Sequence, residues 1–133
     1  MTDAASLVIR PETGRIYEMG RITAIFKADG DETHGRYSIS EWWLEPRTKG
    51  PGLHSHPEDH IFYVIAGTLD LIFEDSSTQA PKGTYVIIPG GTAHDFENQG
   101  AERVGFISLN APGGFESLMP RIAPALANAD LHL

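Results

Sequence analysis

The sequence predicts an all-β domain, a closed or sandwiched antiparallel architecture with a short helical segment near its C-terminal end. Three observations carry this expectation. Short apolar runs rich in β-branched and aromatic residues recur along the chain, enough for roughly eight to ten strands. The connections between them are rich in Gly, Pro, Asp and Ser, the residues of turns. A length of 133 residues with 41% hydrophobic and 21% charged content suits one domain around one core. Full pairing of short strands is how such chains avoid exposed edges.

In chain order, residues 1–14 form an N-terminal arm. Its apolar run Leu7-Val8-Ile9, ended by Arg10-Pro11, is read as an arm or an edge strand, because proline fixes its own φ and removes a donor. Arg15 to Tyr17 and Ile22 to Lys27 read as short strands, followed by a polar turn from Ala28 to Gly35. His34 stands alone in that turn and is read as a solvated loop residue. Tyr37 to Leu44 is a longer strand with adjacent tryptophans, Trp42 and Trp43. Adjacent strand residues face opposite ways, so one indole enters the interior and the other packs outside, against the arm or a second subunit.

Glu45 to Gly52 turns the chain into a histidine-rich stretch that leads into another apolar run. Thr68 to Phe73 and Tyr85 to Ile88 are further strands, separated by a loop from Glu74 to Gly83, and Val104 to Leu109 is the last. Beyond Pro112-Gly113-Gly114, residues Phe115, Leu118 and Met119 fall at helical spacing as a packing stripe, and Pro120 and Pro124 are expected to keep that helix short.

Composition excludes several roles. A net charge of −8 with ten Lys and Arg argues against a nucleic-acid partner. No run approaches the roughly 20 apolar residues of a membrane-spanning helix. The start, Met1-Thr2-Asp3-Ala4-Ala5-Ser6, has no basic segment leading into a signal-peptide core, so the expected location is cytoplasmic, with no membrane partner. Zero cysteines exclude disulfides and thiolate ligands, leaving imidazole and carboxylate for any metal.

The stretch Gly52-Leu53-His54-Ser55-His56-Pro57-Glu58-Asp59-His60 places three imidazoles within seven residues at even spacings. On extended chain His54 and His56 share a face, and His60 returns to it. Convergent imidazoles suggest a metal, and His94 is a fourth candidate. Glu58 keeps the parity of His56, yet it follows Pro57 in a turn and is expected to face solvent. Asp95 and Glu97 lie at odd offsets from His94 and are expected to face away from a metal.

These two stretches resemble the paired motifs of the cupin superfamily, G-x5-H-x-H-x3,4-E-x6-G and G-x5-P-x-G-x2-H-x3-N. The second is matched by Gly83, Pro89, Gly91, His94 and Asn98, and the first by His54, His56 and Gly67. His60 occupies the acidic position, and Gly50 and Gly52 lie closer to His54 than the leading glycine should. The resemblance implies a double-stranded β-helix, or jelly-roll barrel, over about residues 15–110 of a single domain spanning 1–133, with a C-terminal segment over about 111–133. It implies a dimer, and one divalent transition metal held by His54, His56, His60 and His94, as in the four-histidine members. Mn, Fe, Ni, Zn and Cu all remain open as that ion.

An all-imidazole set leaves a divalent ion with its full +2 charge, so the site would be a stronger Lewis acid than one with a glutamate ligand. It also lacks that glutamate as a base, for which Glu41 and Tyr37 are candidates. Parity puts Phe62 and Val64 with His60, and Phe96 with His94, on the inner face; Val86 and Ile88 join them as an apolar pocket wall. The expected function is a metal-dependent enzyme acting on a small organic molecule, dioxygenase-like by preference. The alternatives are a redox-neutral lyase, isomerase or cyclase, and a non-catalytic binding module.

Overall fold

Strict alternation of buried and part-exposed residues builds the main sheet. A computed structural model describes residues 6–133. In β2 (Ile22–Ala28) the residues Ile22, Ala24, Phe26 and Ala28 are buried, and in β3 (Ser38–Leu44) Ser38, Ser40, Trp42 and Leu44 are. Side chains of period two thus give each strand one core face.

Seven further strands complete the set: β1 (Arg15–Glu18), β4 (Asp59–Ala66), β5 (Thr68–Phe73), β6 (Ser77–Pro81), β7 (Tyr85–Ile88), β8 (His94–Glu97) and β9 (Val104–Ala111). A six-stranded sheet has the order β1-β2-β3-β9-β4-β7, and a three-stranded sheet the order β6-β5-β8. All pairings are antiparallel. The sheets face each other across an aromatic core in which Phe96 of β8 lies 5.1 Å from Phe106 of β9, 6.1 Å from Trp42 and 6.1 Å from Phe62. This is the jelly-roll arrangement expected from the motifs.

Several expectations need correction. Residues 74–83 are not all loop: β6 pairs with β5 from Thr68↔Pro81 to Ile72↔Ser77. Only Ala80 of this edge strand is buried, so it carries no apolar alternation to announce it. Strand β8 is likewise unannounced by apolar alternation, its short run being held by β5 through Asp70↔Glu97 to Phe73↔His94. The polar turn holds a short helix, α1 (Gly30–Thr33), and Leu7-Val8-Ile9 forms no strand. The first five residues of the arm, and with them most of the signal-peptide reading, lie outside the described residues.

The C-terminal helix is short, as expected, although it runs through both prolines. A 3-10 turn over Phe115–Leu118 runs into α2 (Met119–Asn128), which contains both Pro120 and Pro124. Pro120 sits in the first turn, where the missing N–H needs no partner. Pro124 removes one bond within the helix, and burial of Met119 and Leu126 holds the segment down.

Trp42 is the buried indole; Trp43 faces outward beneath the Arg103 guanidinium, 4.6 Å from its ring. Asp29 ties the C-terminal segment to the barrel, its two carboxylate oxygens accepting from the N–H groups of Gly114 at 2.7 Å and Glu116 at 2.9 Å. No helix among the described residues is long and apolar enough to cross a membrane.

Candidate metal centre

His60 points inward from β4 with Phe62 and Val64, as the strand's alternation requires. His94 opens β8, and His54 pairs with it as an isolated antiparallel bridge. This bridge carries the segment before β4 across to the second sheet. His56, two residues on, keeps the face of His54.

The four rings converge. His54 lies 4.7 Å from His56 and 4.6 Å from His94, and His60 lies 4.9 Å from His56 and 5.3 Å from His94, between ring centroids. Their candidate ligand atoms form two overlapping triplets, each within 4.8 Å: His54, His56 and His94, and then His56, Glu58 and His60. His56 belongs to both. Glu58, expected in solvent, is instead part-buried beside the site. Asp95 turns away from the rings, and its Oδ1 accepts from the N–H groups of Gly52 at 3.1 Å and Phe96 at 2.8 Å. It thereby pins the turn that leads into His54.

Electrostatics favour the neutral form of three of the imidazoles. Burial, reinforced by the neighbouring imidazoles, pulls His56 down to about 4 and His60 down to about 3. Burial likewise lowers His94, against the raising effect of its bond to the Thr92 carbonyl. Neutral imidazole is the form that binds a metal.

The donor set fits a metal ion. His54 Nδ1 is 2.6 Å from the Gly52 carbonyl and His94 Nδ1 is 2.8 Å from that of Thr92. Both rings therefore donate through Nδ1–H and leave Nε2 free to coordinate. His60 Nε2 is buried with no hydrogen-bond partner, a costly state that a cation in the cluster would relieve.

These rings line a cavity of about 240 Å³ together with Trp42, Phe62, Phe96, Phe106, Phe115, Ser108, Pro51, Ile122 and Leu126. The structure thus puts Phe62 and Phe96 at the cavity. Val64, Val86 and Ile88 do not line it: Val64 and Ile88 are sealed in the core, and Val86 packs against that core part-buried. Glu41 and Tyr37 do not line it either. Glu41 is one residue from the inward Trp42 and so faces out, 3.8 Å from Lys27 Nζ, while Tyr37 is exposed at the start of the strand.

Of the unanticipated wall residues, Trp42, Phe106 and Ser108 were within reach of the same parity argument applied to β3 and β9. Phe115, Ile122 and Leu126 were not. They arrive through the Asp29 clamp on the C-terminal segment, a contact far apart in sequence.

A family described as a cupin domain matches residues 40–110. No curated protein sequence matches the chain. Among solved structures, the EutQ protein of Clostridium difficile is 24% identical with a TM-score of 0.61, over 72% of this chain and 66% of its own. The chain therefore spans about two thirds of that relative. The polyketide cyclase RemF of Streptomyces resistomycificus is 19% identical at TM-score 0.70, over 80% of each chain. A protein of Thermotoga maritima described as a predicted oxalate decarboxylase is also 19% identical at TM-score 0.70, over 80% of this chain and 99% of its own. At such identities the likeness is one of fold.

Proposed function

We propose, because this chain belongs to the cupin domain family, that it holds one divalent transition metal between His54, His56, His60 and His94 and acts on a small, largely apolar molecule as a dioxygenase-like oxidoreductase. The observation that carries this is the meeting of four imidazoles in one aromatic-walled cavity. A bound ion would supply Lewis-acid or redox chemistry at a substrate oxygen. The chain supplies the rest. Trp42, Phe62, Phe96, Phe106 and Phe115 offer flat apolar faces for a ring and exclude water, while the Ser108 hydroxyl is the one polar side chain besides the histidines at the wall.

A redox-neutral reaction, of the lyase, isomerase or cyclase kind, is the second reading. It is favoured by the all-imidazole donor set, which would leave a divalent ion its full +2 charge as a Lewis acid on a carbonyl, and a fold neighbour is named as a polyketide cyclase.

Protein purified without a histidine tag and reconstituted with Fe, Mn, Ni, Cu or Zn is expected to hold one equivalent of metal. Traces only, with no gain on reconstitution, would overturn every metal-dependent reading. Oxygen consumption with a panel of diketones and flavonols supports the oxidative class. Turnover without oxygen uptake supports the redox-neutral one, and binding without turnover leaves a non-catalytic module.

The partner is proposed to be a second copy, docked on the outer face of the six-stranded sheet. Two apolar rows cross that face in register: Ile39, Leu109, Ile61 and Ile87, and then Ile25, Glu41, Ile107, Tyr63 and Tyr85. Tyr85 and Ile87 are 70% and 72% exposed on an edge strand. The single charge in those rows, Glu41, faces Lys27 at 3.8 Å. Light scattering is expected to give a dimer that Ile87→Lys dissociates; a monomeric wild type would refute it.

A further inference from the structure

Three of the four imidazoles have identifiable surroundings at Nδ1, and one of them differs in kind. His54 and His94 each use the carbonyl two residues upstream, that of Gly52 and that of Thr92. Among the described residues His56 makes no such bond. The carbonyl two residues before it belongs to His54 and is committed to the bridge, where it accepts from the His94 N–H at 2.8 Å.

What faces His56 Nδ1 instead is the carboxylate of Glu58, with Oε1 at 3.7 Å. Both side chains are largely shielded, at 14% and 15% exposure. That Oε1 is buried and has no hydrogen-bond partner, an unusual condition for a carboxylate oxygen. The residues on either side of Glu58 are clamped by the turn after β7. Gly91 N–H donates to the His56 carbonyl at 2.7 Å, and Gly90 N–H to Asp59 Oδ1 at 2.8 Å. A Cβ at Gly90 would collide with the Pro57 carbonyl, so the two segments touch backbone to backbone. Glu58 is therefore aimed, not adrift.

We infer that Glu58 is a positioning residue for the metal centre, taking the Nδ1–H of His56 so that Nε2 faces the ion, and placing a negative charge beside an otherwise all-imidazole site. This rests on the proposed metal site. The 3.7 Å gap exceeds a hydrogen bond, and the inferred contact requires the two side chains to draw together. Coordination through Nε2 leaves the imidazole proton on Nδ1, which creates the donor that Oε1 lacks. His56 lines the cavity and Glu58 lies outside its lining, with a carboxylate oxygen within 4.8 Å of candidate ligand atoms on both His56 and His60, so positioning differs from direct ligation in leaving no oxygen of Glu58 on the ion. The acidic residue absent from the position of His60 is thereby replaced in charge, though not in contact, by one two residues earlier.

The test uses the full chain, metal-free and zinc-loaded, with Glu58→Gln and Glu58→Ala. Zinc affinity by chelator competition is expected to fall about 10- to 100-fold in the alanine variant and less in the glutamine variant, which retains an acceptor. Nitrogen-resolved NMR of the histidines is expected to show a His56 Nδ1–H resonance that shifts in the glutamine variant and is lost to exchange in the alanine variant, with those of His54 and His94 unmoved. Unchanged affinity in both variants, a His56 resonance indifferent to residue 58, or loss of an oxygen ligand from the zinc absorption spectrum of the alanine variant would each overturn the inference. If wild-type protein binds no zinc, the metal reading itself falls. The metal-free spectra then still decide the contact: a His56 Nδ1–H tautomer lost in the alanine variant supports it, and an indifferent one refutes it.

Discussion

His54 and His94 are joined twice through their backbones: the His54 N–H donates to the His94 carbonyl at 3.0 Å, and the His94 N–H to the His54 carbonyl at 2.8 Å. The bridge binds two segments 40 residues apart and sets the spacing of their rings at 4.6 Å. Its neighbour Gly50 makes the approach possible. A Cβ there would overlap the Phe96 carbonyl and come within 2.5 Å of Asp95 Oδ1. Gly50→Ala is therefore expected to destabilise the fold by about 1–3 kcal/mol, as overpacking does. It should also weaken metal binding by displacing His54. Denaturant unfolding and metal titration of the same variant check both effects.

Membership of both ligand triplets makes His56 the keystone of the centre. His56→Ala is expected to lower metal affinity more than His60→Ala does, with the latter losing at least about 10-fold. Chelator competition on matched variants measures the order. Equal losses would show that the ion sits centrally among four equivalent rings.

Acid should destabilise the metal-free protein through its buried imidazoles. His56 and His60 are held neutral down to about 4 and about 3 by burial and by the imidazoles around each of them. In the unfolded chain they protonate near their ordinary value of about 6.5. Between these limits the unfolded state binds more protons, so stability rises with pH and is lost as pH falls from about 6.5 toward 4. Thermal unfolding across that window is expected to show the decline, and His60→Leu to flatten it.

Asp29 holds the wall of the cavity from the opposite end of the chain. It accepts from Gly114 and Glu116 and is 8% exposed, and Phe115 between them packs 5.1 Å from His56 and 5.6 Å from His60. Asp29→Ala leaves two N–H groups without their acceptor and is expected to cost about 1–3 kcal/mol. Asp29→Asn, which keeps one acceptor, should cost less. Ligand binding in the cavity is expected to weaken alongside, since Phe115 loses its anchor.

Much of this centre was readable from local pattern. Period-two alternation sends Trp42 inward and Glu41 outward, and the same rule brings His60, Phe62 and Val64 to one face. Strands with a buried apolar face announce themselves that way. Strand β6 and strand β8 do not, because their existence depends on β5 offering unpaired backbone groups and not on their own side chains. Glu58 was misplaced for a related reason. Its turn looked solvent-facing, and only the packing of Gly90 against Pro57 closes it.

The sequence by itself determined the sheet-forming runs, the even spacing of His54, His56 and His60, and the second motif around His94, because strand periodicity and turn chemistry act within a few residues. Tertiary structure alone decided that α2 and Phe115 would wall the cavity and that Glu58 would meet His56. Those outcomes depend on backbone hydrogen bonds between distant segments, whose partners no local pattern specifies.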